Sequence, residues 1–235
     1  MLYTRYMFAS KYCDGKDVLE VACGSGQGLG FLSRKAGKVI GGDCTENLIR
    51  GANQYYKGQI PLLGFDAHSL PFKNTTFDVV ILFEAIYYLE WPEKFLGECR
   101  RILRKKGLLI ICTVNKEWLD FNPSPFSTCY FSSVELSELL KPLSFYVELY
   151  GAFETKKKSL KDYLVSWLKR KAVGLRLIPK TMRGKEFLKY LFFGNLISLP
   201  QEITEGMARY CHPHPISLNS PTSDYKVIYA VCQKM

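Results

Sequence analysis

The sequence predicts an α/β fold in which a mostly parallel sheet carries helices on both faces. Short apolar runs alternate with helical stretches through the first half of the chain, the pattern of strands joined by helical crossovers. The runs are rich in β-branched residues, as suits strands buried on both sides. A last run, YKVIYAVCQ at 225–233, follows roughly seventy residues that lack the alternation.

Taken in order, residues 17–22 (DVLEVA) predict a first strand and 28–36 its following helix. Residues 38–43 (KVIGGD) predict a second strand, with a helix over 47–56, and 61–66 (PLLGFD) a third. The run FDVVILF at 77–83 predicts the fourth. Residues 91–104 place Phe95, Cys99, Ile102 and Leu103 on one side of a helix. Lys105, Lys106 and Gly107 are expected to close it, because cations and glycine favour helix ends. A fifth strand is expected at 108–114, a helix at 132–140, a sixth strand at 145–150 and a seventh at 225–233.

The chain of 235 residues, 47% hydrophobic, suffices for a single domain over 1–235 with an insertion. That insertion, residues 155–222, reads as a basic helical cap over the substrate. It holds Lys156–Lys158 and Lys169–Lys171 on either side of an apolar stripe that includes Trp167. Residues 151–235 carry 15 Lys/Arg against 6 Asp/Glu, whereas 1–150 are nearly balanced at 17 against 16. Such local charge implies an anionic neighbour: an acidic or lipid-linked acceptor, a membrane surface touched peripherally, or nucleic acid. The longest apolar stretch, 79–86, contains Glu84 and is too short to span a bilayer. No secretory leader pattern opens the sequence, so the expected compartment is cytoplasmic. The eight cysteines show no CxxC pair and are expected to be reduced structural thiols.

The chemistry is carried by VLEVACGSGQG at 18–28. A strand ends, glycines fall at 24, 26 and 28, and a helix begins. Glycines there allow a sharp turn and close approach of a ligand to the backbone. A dinucleotide fingerprint would want glycine at 29, which is leucine. Asp43, ending the second strand, suits a ribose diol. Asp66, ending the third, suits an adenine amino group. Glu20 lies inside the first strand, where an acid is costly without a cationic or donor partner such as the amino group of an amino acid. Ribose, adenine and a methionine-like ammonium together describe S-adenosylmethionine.

With these residues in view, the chain resembles the class I S-adenosylmethionine-dependent methyltransferases, of a small-molecule and polysaccharide-modifying kind. VLEVACGSGQG resembles the first family motif and VIGGDCTENL the second. The stretch from DAHSLPF to LLIICTVN resembles the region from adenine contact to fifth strand. The resemblance covers roughly residues 15–115. It implies a Rossmann-like seven-stranded sheet with an antiparallel last strand. It also implies cofactor contacts at Glu20, Ala22, Gly24, Gly26, Asp43, Cys44, Asp66, Ala67 and Glu84, and a lid over residues 1–14 in which Arg5 and Tyr6 close on the cofactor. Where many relatives carry histidine after the fourth strand, this chain has FEAIYY at 83–88, so a histidine base is missing there.

Tyr87, Tyr88 and His68 remain as catalytic candidates. Asn115, Trp167, His212 and His214 are candidates for acceptor contact. The run CHPHP at 211–215 reads as a rigid loop, and no metal is expected. The acceptor is expected to be a small molecule or saccharide, methylated at oxygen. A nucleic-acid methylase exploiting the basic segment is the second reading, although the Asn/Asp-Pro-Pro-aromatic signature of amino-group methylases is missing. A cofactor-binding scaffold without catalysis is the third.

Overall fold

The computed structural model describes residues 1–155 and 200–235. The elements form because the apolar runs are long enough to fill the interior of one sheet. Strand β1 (Asp17–Val21) pairs in parallel with β2 (Lys38–Asp43) on one side and β4 (Phe77–Phe83) on the other. β3 (Leu62–Gly64) extends the sheet beyond β2, and β5 (Leu103–Val114) lies beyond β4, both parallel. β8 (Tyr225–Lys234) inserts antiparallel between β5 and β6 (Phe145–Glu154). A short β7 (His214–Ile216) edges β6. The order is β3-β2-β1-β4-β5-β8-β6-β7.

The sheet is buried on both faces, as the period-two alternation of its strands requires. Leu19, Val21, Val80 and Leu82 face a core closed by α4 (Pro92–Ile102) and α5 (Ser133–Leu140). Val18, Val79, Ile81 and Tyr229 face the other, closed by α1 (Leu2–Ser10), α2 (Leu29–Ser33) and α3 (Glu46–Tyr56). Helix α5 begins with a capping box in which the Ser132 hydroxyl accepts from the Glu135 N–H and the Glu135 carboxylate accepts from the Ser132 N–H.

Three expectations need correction. The sheet has eight strands rather than seven, because His214–Ile216 pairs with Leu149–Gly151. Lys105–Gly107 do not cap a helix: α4 stops at Ile102 and the chain runs straight into β5. The pairing with β4 slips between Phe77 and Val79, and Lys106 adopts φ 64°, so three residues that read as a helix stop form an irregularity within a strand. The insertion is also shorter than 155–222. One compact unit comprises Met1–Thr155 with Gln201–Met235, and the other Lys156–Pro200. Trp167 and both basic runs lie outside the described residues.

Residues 201–211 belong to the sheet unit because they bond to its N-terminal part. The Ile203 N–H donates to the Gln27 carbonyl at 2.8 Å, and the Ile203 side chain is fully buried. Arg34 pairs with Glu202 at 2.9 Å, the Tyr3 hydroxyl accepts from the Gly206 N–H, and the Thr4 hydroxyl accepts from the Cys211 N–H.

Ala22, just past β1, has φ 55°, a conformation that costs a residue with a Cβ. Ala22→Gly should therefore stabilise the protein by about 0.5–1 kcal/mol, measured by urea unfolding, with the m-value unchanged.

Candidate cofactor and acceptor site

The crevice lies at the carboxyl ends of β1 and β4. Successive strands run outward in one direction from β1 and, after β3, in the other from β4, so the connections diverge and leave an opening. The turn after β1 supplies its floor. Ala22, Gly24 and Gly26 all have left-handed backbone angles, and a Cβ added at Gly24 would meet nothing within 4 Å. Asp43, nearly buried at the end of β2, fixes this turn: Oδ2 accepts from the Gly24 N–H at 2.9 Å and Oδ1 from the Thr45 N–H at 2.8 Å. Each oxygen keeps a further lone pair for an outside donor. The Tyr56 hydroxyl donates to the Gly26 carbonyl at 2.7 Å and accepts from the Gly30 N–H at 3.0 Å, locking the far side of the loop.

Glu20 is 1% exposed. The Tyr6 hydroxyl donates to its Oε1 at 2.5 Å, while Oε2 is buried without a hydrogen-bond partner among the described residues. Burial pushes the carboxyl up to about 8, against the lowering effect of the Tyr6 hydrogen bond. Helix α1 is thus drawn onto the glycine turn. The Tyr6 ring packs edge-on to Phe83 at 5.1 Å and covers Gly28 so closely that a Cβ there would lie 1.8 Å from a ring carbon.

After β4 the chain turns at Glu84 with φ 51° and enters a short 3₁₀ helix, Ile86–Tyr88. The Glu84 carboxylate receives Arg5 Nη2 at 2.8 Å and the Tyr87 hydroxyl at 2.9 Å. Burial and the adjacent carboxylate raise the Tyr87 phenol well above its usual value, so it is protonated at neutral pH. The Tyr87 ring stands 4.6 Å from that of Tyr88 and 4.9 Å from that of Tyr130, which in turn meets Phe121 at 4.7 Å. Thr128 Oγ1 donates to the Tyr87 and Leu89 carbonyls and fastens this loop to the 3₁₀ turn. Tyr88 is 52% exposed, whereas Tyr87 is buried.

Not every expected site residue joins the crevice with a free group. β3 ends at Gly64, so Asp66 stands in the following turn, 67% exposed in its side chain, and not at a strand end. It still reaches the right edge of the sheet, because the Phe65 N–H donates to the Asp43 carbonyl. Asp66 Oδ1 accepts from the His68 N–H at 2.9 Å and contacts His68 Nδ1 at 2.7 Å; the hydrogen bond from the His68 backbone holds the carboxyl below its usual range. His68 Nε2 accepts from the Trp91 N–H at 3.4 Å, so both ring nitrogens are engaged. Ala67 packs against the core, and Cys44 is exposed beside Thr45.

Asn115 is fully buried. Its Nδ2 donates to the Thr222 and Tyr225 carbonyls and its Oδ1 accepts from the Glu117 N–H, so it ties β5 to the start of β8 and both amide protons are used. His214 lies on edge strand β7, five strand spacings or about 24 Å from β1. It faces Glu154 at 3.9 Å, and His212 meets the Tyr210 ring edge-on at 4.4 Å. Tyr130 and Thr128 escaped sequence reasoning because they sit in a turn-rich stretch, FNPSPFSTCY, that has no periodicity to read.

Residues 19–111 match the family model described as a methyltransferase domain. The chain is 32% identical over 149 residues to a Mycolicibacterium smegmatis protein described as a probable S-adenosylmethionine-dependent methyltransferase, covering 61% of this chain and 57% of the relative. It is 39% identical over 100 residues to the phthiotriol/phenolphthiotriol dimycocerosates methyltransferase of Mycobacterium leprae, covering 40% and 36%. The chain spans about half the length of the curated relatives it matches. A solved S-adenosylmethionine-dependent methyltransferase from Thermotoga maritima superposes with a TM-score of 0.63 at 16% identity, covering 100% of this chain and 89% of that one, and so shares its fold. The crevice suits S-adenosylmethionine, which the relatives' descriptions name: it offers a buried carboxylate oxygen without a partner among the described residues, open space above Gly24 and an Asp43 carboxylate with lone pairs to spare.

Gly28→Ala should push Tyr6 off the turn and destabilise the fold by roughly 1–3 kcal/mol. Hydrogen exchange should then rise in α1 before it rises in β1 or β4.

Proposed function

We propose that the chain transfers the methyl group of S-adenosylmethionine to oxygen on a small-molecule or saccharide-type acceptor that is anionic or lipid-linked. The observation that carries the donor half is the pairing of Glu20 and Asp43 on either side of one glycine turn. Glu20 Oε2 is a buried acceptor awaiting a cation, and Asp43 is a fixed acceptor at hydroxyl distance from the turn. In this reading Glu20 receives the ammonium of the methionine end, Gly24 and Gly26 let it lie against the backbone, and Asp43 receives the ribose hydroxyls. Ala22 and Cys44 flank that path through their backbone, and Asp66 with Ala67 borders the adenine.

The bound cofactor supplies a methyl group on a positively charged sulfur, already activated for in-line displacement. The chain's own task is then alignment and removal of one proton. Tyr87 stands at the mouth of the crevice with its hydroxyl on Glu84. Its oxygen can take the acceptor's hydroxyl proton while its own proton passes to Glu84 Oε2. Arg5 orients that carboxylate but also makes it a weak base, so the relay contributes modestly beside positioning. Tyr88, exposed beside it, offers an aromatic face to the acceptor.

Two features support an acceptor with a charged and an apolar part. All of the chain's excess positive charge falls within residues 156–199, which hold 12 Lys/Arg against 2 Asp/Glu. Tyr88, Trp91, Leu119 and Phe126 are exposed on loops that follow β4 and β5. One relative, 39% identical over 100 residues, is named a phthiotriol/phenolphthiotriol dimycocerosates methyltransferase.

Calorimetric titration with S-adenosylhomocysteine tests the donor half. Asp43→Ala should weaken binding by about 1–3 kcal/mol, because the ribose donors lose their acceptor. No binding by the folded wild type at millimolar ligand would overturn the proposal. For the acceptor half, Tyr87→Phe should lower kcat by roughly tenfold to a hundredfold while leaving cofactor affinity within twofold, measured on whichever acceptor a panel of glycans, phenols and lipid-linked sugars yields.

A further inference from the structure

Glu20 is the least exposed ionisable acid among the described residues, and only half of its carboxylate is satisfied. We propose that Tyr6 is a positioning residue of the donor site: its phenol saturates Glu20 Oε1, leaves Oε2 to receive the ammonium of the methionine end, and so makes loading of the site expel the carboxyl proton to solvent. The inference rests on the methyl-donor reading above and deepens it.

The geometry leaves little choice of partner. The glutamate shares a sheet face with α1 and α2 because Val18 and Glu20 alternate with Leu19 and Val21 along β1. On that face Tyr6 is buried, clamped between Phe83 and the surface of Gly28. Its hydroxyl has one short bond, to Glu20, and its ring cannot move away without uncovering the turn. An incoming cation therefore meets a carboxylate whose rotation is already stopped and whose second oxygen has no hydrogen-bond partner among the described residues.

The proton count follows from the same burial. With its carboxyl pushed up to about 8, Glu20 is protonated at pH 7 in the cofactor-free protein. A buried ammonium beside it favours the carboxylate, so the complex holds one proton fewer on Glu20. Affinity for an amino-acid ligand should then rise with pH up to about 8. The other groups facing Glu20 do not titrate in that interval. Tyr6, from α1, is held well above its usual value, and Cys13, just past α1, is pushed up to about 12. Cys23, on the turn, is raised further, and Tyr56, from α3, to about 12. Asp43, on β2, is tied to the Gly24 and Thr45 N–H groups, and Arg5, the nearest cation on α1, is paired with Glu84.

The test is calorimetry of the full chain with S-adenosylhomocysteine at pH 7, in phosphate and in Tris, whose ionisation enthalpies differ. The wild type should release a proton on binding, because the cofactor-free Glu20 carboxyl is held well above its usual range by burial. Glu20→Gln should release none. Tyr6→Phe should bind about tenfold more weakly, and the midpoint of its affinity–pH curve should move upward, because Glu20 loses the hydrogen bond that favours its charged form. Thermal unfolding at pH 5 checks that both variants fold. Wild-type binding without proton release, or a folded Tyr6→Phe with wild-type affinity and midpoint, overturns this inference alone. A folded wild type that binds no ligand at millimolar concentration overturns the methyl-donor reading as well.

Discussion

Parallel pairing of β1 with both β2 and β4 is the constraint on which the rest of the structure depends. Parallel neighbours need a crossover, and right-handed crossovers send the chain to opposite faces when the direction of strand addition reverses. Here the reversal falls between β1 and β4. The two connections leave the sheet in different directions, and the carboxyl ends of both strands stay uncovered. Glu20, the glycine turn, Asp43 and Glu84 all fall at that opening, although they are spread over 65 positions of sequence.

An opening of this kind places acids in low-dielectric surroundings, and each is managed differently. Asp43 is satisfied by two backbone N–H groups. Glu84 is neutralised by Arg5 and hydrogen-bonded by Tyr87. Glu20 has only a phenol, and one of its oxygens goes unserved. That graded treatment separates roles within one crevice: the first acid shapes the turn, the second anchors α1 to the end of β4, and the third keeps one oxygen without a partner among the described residues. Two of the residues that border it, Ala22 and Glu84, have left-handed backbones despite carrying a Cβ. Such conformations persist where neighbouring structure over-determines them.

Local chemistry made most of the frame legible before any coordinates. The strands β1, β2, β4 and β8 declare themselves by short runs dominated by apolar residues. Asp43 is readable because an acid that ends a buried strand has few other reasons to be there. Lys105–Gly107 misled because cations and glycine suit both a helix stop and a kinked strand, and only pairing with β4 decides between them. The surroundings of Asn115 and His68 were less legible. Polar residues after a strand end resemble ligands in sequence, yet here their bonds go to loops 107 positions away or to an acid two positions back. Contacts at that range, like the Tyr6 bond to Glu20, have no local signature.

The strap formed by residues 201–211 joins the two ends of the chain: Ile203 to the Gln27 carbonyl, Gly206 to Tyr3, Cys211 to Thr4. Those bonds close loops of about two hundred residues, the costliest kind in chain entropy and the slowest to find. During synthesis the first helix therefore leaves the ribosome long before the segment that completes its seat. The sheet from β1 to β5 has all its strands in hand much earlier. Folding in this protein should accordingly end at its first helix, whose seat is complete only once residues 201–211 have been made.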